Sequence, residues 1–101
     1  MNYYDPFLAF WFGSPSAAQM TEQMVVQFND ALGLSYGSAS DPMADVGTAF
    51  STTDWNLLPD GLPLNVEHIC QWTWMCSRSP DVHPNAAGYG VIAQAFERVI
   101  P

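Results

Sequence analysis

The sequence predicts an α/β fold, in which helices cover a layered, mostly parallel sheet. The prediction rests on two short runs typical of strands and on two amphipathic helices that alternate with them. Apolar residues make up 49% of the chain and aromatic residues 14%, which is the composition of a chain with a packed core. A length of 101 residues accommodates one domain, so we expect a single unit over residues 1–101.

Two segments are predicted to be strands. The first is Asn2–Phe12, because aromatic and apolar residues favour strands. An edge strand, or a helical turn that starts after Pro6, is the alternative there. The second is the short run Pro42–Val46, which is followed by a glycine. Two strands make a poor sheet, and a helix that crosses over them needs more sheet beneath it.

The first predicted helix follows Gly13, a residue that interrupts regular secondary structure. Either Ser14 or Ser16 can cap it, with a proline at the first helical position in the former case. We expect it to end near Leu32, because Gly33 is a good terminator. Its apolar residues recur every three to four positions, and this stripe is assigned to the core: Ala17, Met20, Met24, Phe28 and Ala31.

The second half of the chain is predicted to contain a long loop and a final helix. Turn-forming residues fill Thr48–Asn65, and His68–Cys76 is either helical or irregular. A helix that begins after Asn85 is well supported by its cap and by a second apolar stripe. The stripe consists of Ile92, Ala95, Phe96 and Val99.

The charge of the chain excludes two classes of partner. The net charge is −8, and Arg78 and Arg98 are the only basic residues apart from the histidines. A phosphate backbone needs cations to replace its counterions, so we expect no nucleic-acid binding and no attraction to anionic membranes. We also expect no membrane span, because no apolar run is long enough, and no signal peptide within this chain.

Cys70 and Cys76 are the only cysteines, and their spacing allows a disulfide. Two reduced, buried thiols in a cytosolic protein are the alternative. A zinc site formed with His68 and His83 is also conceivable, but no pair of these residues has the spacing usual for zinc ligands. We favour the bridge, and we expect no metal and no cofactor.

The segment Pro80–Tyr89, PDVHPNAAGY, contains the candidate catalytic residues. A proline after His83 pushes that residue toward an extended conformation, ahead of a helix capped by Asn85. In an extended segment Asp81 lies on the same side as His83 and can accept a hydrogen bond from its ring. An Asp–His pair is the acid and base part of a hydrolytic triad. A solvated turn that merely caps the helix is the alternative.

The segment Asp81–Asn85, followed by Gly88 and Tyr89 and an apolar helix, resembles the C-terminal catalytic block of SGNH/GDSL-type hydrolases, which are serine esterases and lipases. The segments Asn2–Phe7 and Cys70–Cys76 are similar to those of secreted bacterial members. The resemblance covers most of this chain but only the C-terminal half of the family's domain. It implies a partial three-layer α/β/α flavodoxin-like fold and, together with the bridge, a secreted or extracytoplasmic location.

The resemblance also implies ester hydrolysis, with His83 as the base and Asp81 as the acid of a serine triad. The family's block is Asp-x-x-His, whereas Asp81 lies only two residues before His83, which puts its role in question. The blocks that carry the nucleophilic serine and the oxyanion hole are absent, so we expect little or no activity from the isolated chain. The implied substrate is a small-molecule, lipid or glycan ester. The implied partners are a missing N-terminal half or a second copy bound through an exposed sheet surface.

A non-catalytic module is the alternative function. In that hypothesis the tryptophans bind a glycan or a partner protein: Trp55, Trp72 and Trp74. Packing around a disulfide is the commoner role of such tryptophans.

Overall fold

The computed structural model describes residues 1–101 and contains five helical segments and no strand. Two isolated bridges, Leu57 with Pro63 and Thr73 with Pro84, are the only β-type pairings. The predicted α/β fold, including its three-layer flavodoxin-like form, is therefore wrong. The segments are a 3-10 helix (Pro6–Phe12) and the α-helices α1 (Pro15–Ser38), α2 (Val46–Ala49), α3 (Leu64–Trp72) and α4 (Ala86–Glu97).

Both segments predicted as strands lead into helices, because each contains an aspartate that caps one. The Asp5 carboxylate accepts a hydrogen bond from the Phe7 backbone N–H at 3.0 Å, and Pro6 occupies the first helical position. The Asp45 carboxylate accepts one from the Thr48 N–H at 3.1 Å, at the start of α2. These N–H groups have local partners and no neighbouring strand, so the β preference of the side chains does not decide the backbone conformation.

The start of α1 is as predicted, but its end is not. Ser14 is the cap, and its Oγ accepts a hydrogen bond from the Ala17 N–H at 3.2 Å. The helix passes through Gly33 and ends at Ser38. Tyr36, which lies in the helical turn after Gly33, makes a tertiary contact. Its hydroxyl accepts a hydrogen bond from the Met1 amino group at 2.9 Å. Such contacts override the modest preference of a glycine to end a helix.

The predicted core stripe of α1 faces solvent. Met20 and Met24 are each 64% exposed and Phe28 is 53% exposed, while Ala18, on another side of the helix, is fully buried. The helix carries apolar residues around much of its circumference, so spacing alone did not identify the buried side. We call this surface the α1 stripe, and it consists of Met20, Met24 and Phe28.

The core lies between the 3-10 helix and the four α-helices. Phe50 is its central aromatic residue, stacked on Tyr4 at 4.5 Å and in edge contact with Trp72 at 5.3 Å. Ala95 of the predicted α4 stripe is buried here, and Ile92 and Val99 pack against the core. Phe96, the fourth member of the stripe, is exposed. The fully buried apolar residues are Leu8, Ala18, Ala44, Val46, Phe50, Val66, Ile69 and Ala95.

The helical architecture bears on two expectations about partners, of which it contradicts the first and agrees with the second. Without a sheet there is no sheet surface through which copies could associate, so that expectation is wrong. None of the helices combines the length and the apolar character that a bilayer crossing requires. The core contacts place the N-terminal segment beside α3 and α4, and the loop between those two helices carries the predicted catalytic residues.

Candidate active site

The loop Thr73–Asn85 joins α3 to α4, and its two ends are paired. The Trp74 N–H donates to the His83 carbonyl at 3.2 Å, and the Asn85 N–H donates to the Trp72 carbonyl at 3.0 Å. These bonds surround the single antiparallel bridge in this part of the chain. The backbone on both sides of His83 is therefore fixed, although the residue lies outside regular secondary structure.

The predicted disulfide is present and anchors the same loop. Cys70, in α3, is bonded to Cys76, with 5.0 Å between their Cα atoms. Both sulfurs are used in this bond, so neither is a thiolate available to a zinc ion. The cysteines thus hold the first part of the loop against the end of α3.

The start of α4 is positioned by a cap and by a close backbone contact. Asn85 caps the helix as predicted, because its Oδ1 accepts from the Gly88 N–H at 3.0 Å while its Nδ2 donates to the Gln71 carbonyl at 2.8 Å. At Gly88 the helix touches α3 so closely that a Cβ atom would lie 2.0 Å from the Trp72 carbonyl oxygen. Only glycine fits there without displacing backbone.

The two predicted catalytic residues form a hydrogen-bonded pair, the Asp81–His83 dyad. His83 Nδ1 lies 2.5 Å from Asp81 Oδ1, and the same oxygen accepts from the His83 backbone N–H at 2.8 Å. These two hydrogen bonds lower the pKa of Asp81, so the carboxylate stays ionised. A carboxylate acceptor assigns the ring proton to Nδ1 and leaves Nε2 as the basic nitrogen. The dyad is open to solvent, with 71% of the His83 side chain exposed.

A tyrosine from the N-terminal segment holds the dyad loop from the other side. The Tyr4 hydroxyl donates a hydrogen bond at 2.8 Å to the carbonyl of Val82, the residue between the two members of the dyad. Burial raises the pKa of Tyr4 to about 12, and the neighbouring Tyr89 and Asp81 add to the rise. Tyr4 therefore remains a neutral hydrogen-bond donor. Sequence reasoning missed it, because a contact across 78 residues leaves no local signal.

An apolar groove runs beside the dyad, with a volume of about 310 Å³. One wall comes from the N-terminal segment, the other from α4, and the residues on either side of His83 lie between them. We call it the Tyr4–Tyr89 groove. Its lining residues are Met1, Tyr3, Tyr4, Pro6, Val82, Pro84, Tyr89 and Ile92.

No serine hydroxyl is hydrogen-bonded to His83. The Ser77 Oγ, the nearest in sequence with an assigned partner, donates to the backbone carbonyls of Trp74 and Ser79. Ser14 caps α1 and is engaged there. The side-chain hydrogen bond of His83 goes to Asp81 alone. The structure thus places no hydroxyl group in hydrogen-bonding contact with the ring of His83.

The other histidine has a different environment. His68 lies on α3, where its ring stacks on Trp72 with 4.0 Å between the ring centroids. Its Nδ1 is buried and forms no hydrogen bond of good geometry. Burial lowers the pKa of His68, and the Phe50 carbonyl and nearby carboxylates oppose this only in part. His68 is a neutral packing residue.

The three tryptophans of the alternative hypothesis do not form one exposed surface, and two of them are packing residues. The Trp55 Nε1–H donates to Glu22 at 2.8 Å, and the Trp55 ring packs against Trp11. Trp72 is covered by Phe50 and His68. Trp74 alone of the three is well exposed, at 52%.

No protein-family model, curated protein or solved structure matches this chain. The functional argument therefore starts from the geometry of the dyad, its fixed loop and the groove beside it.

Proposed function

We propose that the Asp81–His83 dyad is the acid–base part of an acyl-ester hydrolase site. The observation that carries the proposal is the 2.5 Å contact between His83 Nδ1 and Asp81 Oδ1, in a loop fixed from both sides. The His83 side chain is 71% exposed and its only side-chain hydrogen bond uses Nδ1, so Nε2 is free to take a proton from an incoming nucleophile. The likeness of Asp81–Asn85 to the SGNH-type catalytic block supports ester chemistry, and no flavodoxin-like fold is part of the proposal.

The proposed reaction has two steps that use the same base. A serine hydroxyl attacks the ester carbonyl carbon, its proton moves to His83 Nε2, and the alcohol leaves with that proton as the carbon–oxygen bond breaks. Water then attacks the acyl-serine ester, its proton again passes through His83, and the carboxylic acid is released. Asp81 holds the ring in the required tautomer and stabilises the imidazolium in both steps.

The nucleophile belongs to polypeptide outside Met1–Pro101, in keeping with the absence of a serine in contact with His83. We further propose a secreted or extracytoplasmic location, because a structural disulfide persists in oxidising compartments.

The test uses the complete natural reading frame that contains this chain. We would measure p-nitrophenyl butyrate hydrolysis and covalent labelling by a fluorophosphonate. His83→Ala is expected to abolish both, and Asp81→Asn to lower kcat by about 10⁴-fold, the loss typical when a triad aspartate becomes an amide. His68→Phe is the matched control, since these are the only two histidines, and it should retain both activities.

Turnover that survives His83→Ala contradicts the proposal. The proposal is also contradicted when the complete reading frame encodes no more than residues 1–101 and its protein product is not labelled by the fluorophosphonate. A labelled serine that maps outside residues 1–101, with label lost in His83→Ala, supports it.

The alternative of a non-catalytic glycan-binding module depends on Trp74, the exposed tryptophan. The same variants decide between the two hypotheses. Saccharide binding that is lost in Trp74→Ala and unchanged in His83→Ala would favour the binding module.

A further inference from the structure

One hydrogen bond on the dyad segment comes from outside the loop that carries it. Within the loop, the Asp81 N–H donates to the Trp74 carbonyl at 3.3 Å, and the Trp74 N–H donates to the His83 carbonyl at 3.2 Å. The Tyr4 hydroxyl, from the other end of the chain, donates to the Val82 carbonyl at 2.8 Å. Val82 lies between the members of the dyad, and its backbone forms no other hydrogen bond. The backbone between the two members of the dyad is therefore fixed by Tyr4 alone.

The dyad is held together by its backbone, because burial does not hold it. The His83 side chain is 71% exposed and the Asp81 side chain is 51% exposed, so water competes for both. Pairs at such exposure contribute little by themselves, since two mobile side chains must be ordered to form them. They meet because an extended backbone places residues i and i+2 on the same side. A rotation of the Val82 peptide would turn the Asp81 carboxylate away from the imidazole.

The Tyr4 hydroxyl is itself held in place by the core. The Tyr4 ring stacks on Phe50 with 4.5 Å between the ring centroids, and Phe50 is fully buried. The next residue, Asp5, is also fully buried, and its carboxylate accepts a hydrogen bond from the Thr21 hydroxyl at 2.6 Å. Burial raises the pKa of Tyr4 to about 12, so its hydroxyl keeps its proton and donates at neutral pH. A fixed donor thus holds an exposed loop.

We infer that Tyr4 is the positioning residue of the dyad and acts through the Val82 carbonyl. Its hydroxyl keeps the Asp81 carboxylate against His83 Nδ1, which selects the Nδ1–H tautomer and leaves Nε2 as the basic nitrogen. The catalytic consequence rests on the proposed function, because only a hydrolase site uses that nitrogen as a base. The effect on the tautomer needs no substrate and is measurable on this chain by itself.

The first experiment measures the tautomer of the neutral His83 ring. The chain is labelled with ¹⁵N-histidine, and the imidazole nitrogen shifts are recorded at pH 8 for the parent and for Tyr4→Phe. The phenylalanine ring keeps the stack on Phe50, and the freed Val82 carbonyl can bind water because Val82 is 40% exposed. We expect the ratio of Nδ1–H to Nε2–H to fall about fivefold, which corresponds to a hydrogen bond of about 1 kcal/mol. His68 is the internal reference, and its shifts should not change.

Three further samples separate positioning of the dyad from anchoring of the N-terminal segment. Tyr36→Phe removes another tyrosine hydroxyl that contacts this segment, the acceptor for the Met1 amino group, and should leave the ratio unchanged. In an Asp81→Asn background, Tyr4→Phe should have no further effect on the ratio, because the carboxylate through which it acts is gone. Replacing the tyrosines by 3-fluorotyrosine, whose more acidic hydroxyl is a stronger donor, should raise the ratio while every contact is kept.

The second experiment measures turnover by the complete natural reading frame. Tyr4→Phe should lower kcat for p-nitrophenyl butyrate about fivefold with KM unchanged, because it alters the base and not the binding of substrate. Tyr36→Phe should keep the parent kcat. An unchanged kcat beside a changed tautomer ratio would overturn the catalytic part of the inference.

An unchanged ratio in Tyr4→Phe or with 3-fluorotyrosine, or an equal fall in Tyr36→Phe, overturns the inference. An effect of Tyr4→Phe that persists in full beside Asp81→Asn does the same. Its failure and that of the proposed function are distinguishable. A tautomer change without ester turnover by the complete gene product removes the hydrolase proposal and keeps Tyr4 as the positioning residue. Turnover that depends on His83, with both the ratio and kcat unaffected by Tyr4→Phe, keeps the hydrolase and removes the role of Tyr4.

Discussion

The surroundings of the two histidines differ in what they do to the same side chain. His68 is stacked on Trp72 and has a buried Nδ1 without a hydrogen bond, so packing favours its neutral form. His83 is exposed and bonded to Asp81, so its charged form has a carboxylate partner. Trp72 serves both regions, because its ring covers His68 while its carbonyl accepts from the Asn85 N–H beside the dyad. Burial thus makes His68 a packing residue, whereas the fixed loop that carries His83 leaves its ring accessible to solvent.

The largest expected effect comes from disrupting the close contact between α4 and α3, the two helices that the His83 loop joins. Gly88→Ala places a Cβ atom against the Trp72 carbonyl, and backbone must move to relieve the contact. We expect a loss of about 3 kcal/mol in the free energy of unfolding, the upper end for overpacking, measured by urea denaturation.

Gly90→Ala is the matched control on the same helix, because nothing lies within 4 Å of its Cβ position. It should stabilise the chain by roughly 0.5–1 kcal/mol through the higher helix preference of alanine. Equal stability of the two variants would mean that α4 does not touch α3 at Gly88.

A smaller effect is expected from removing the disulfide. Replacing Cys70 and Cys76 together by serine should cost about 2 kcal/mol, the chain-entropy value for so short a loop. The loosening should concentrate around His83. Hydrogen exchange should therefore accelerate at the Trp74 and Asp81 amides, which bond across the loop, more than in α1. Uniform acceleration throughout the chain would show that the bridge stabilises the whole domain and not the dyad loop.

The smallest expected effect is on the pH dependence of the free energy of unfolding, to which His68 contributes. Its pKa in the folded chain is below the unfolded value of 6.5, so the unfolded chain binds more protons between those values. Stability should therefore fall as the pH drops below about 6.5. His68→Phe should flatten the stability profile in this window, as measured by urea denaturation from pH 5 to 8.

Asp81 provides an internal control at lower pH. Its folded pKa lies below 3.8, so its contribution is present above that pH and is lost as the pH falls through the folded value. This acid-side loss should persist in His68→Phe. An unchanged slope between pH 5 and 6.5 in that variant would assign the loss to another group.

Local signals in the sequence predicted the parts of the site that are themselves local. Ser14 and Asn85 cap their helices because a side-chain oxygen reaches an N–H three residues ahead, and this depends on little else. The Asp81–His83 contact is of the same kind, since only Val82 separates its members in the chain. The Cys70–Cys76 bridge also spans a short distance in the chain.

The errors arose where distant parts of the chain decide the outcome. A strand needs a partner strand, and the aromatic segment Pro6–Phe12 has none. Its backbone N–H groups therefore form hydrogen bonds within the segment, as a 3-10 helix. The α1 stripe faces solvent because the 3-10 helix covers another side of α1. The Tyr4–Tyr89 groove is lined by residues 1–6 and 82–92, and no local sequence pattern predicts that these two segments come into contact.

The contact between Tyr4 and Val82 also has a consequence for how the protein is made. During vectorial synthesis Tyr4 leaves the ribosome long before Val82, at about 5–20 residues per second. Hydrogen bonds between Asn2 and residues 44–47 can close earlier, so α1 and α2 can dock on the N-terminal segment first. The wall of the groove that Tyr4 contributes is therefore synthesised well before the wall that Tyr89 contributes. The groove can form only after α4 has been synthesised, so the apolar side chains of the N-terminal segment lack this cover until then.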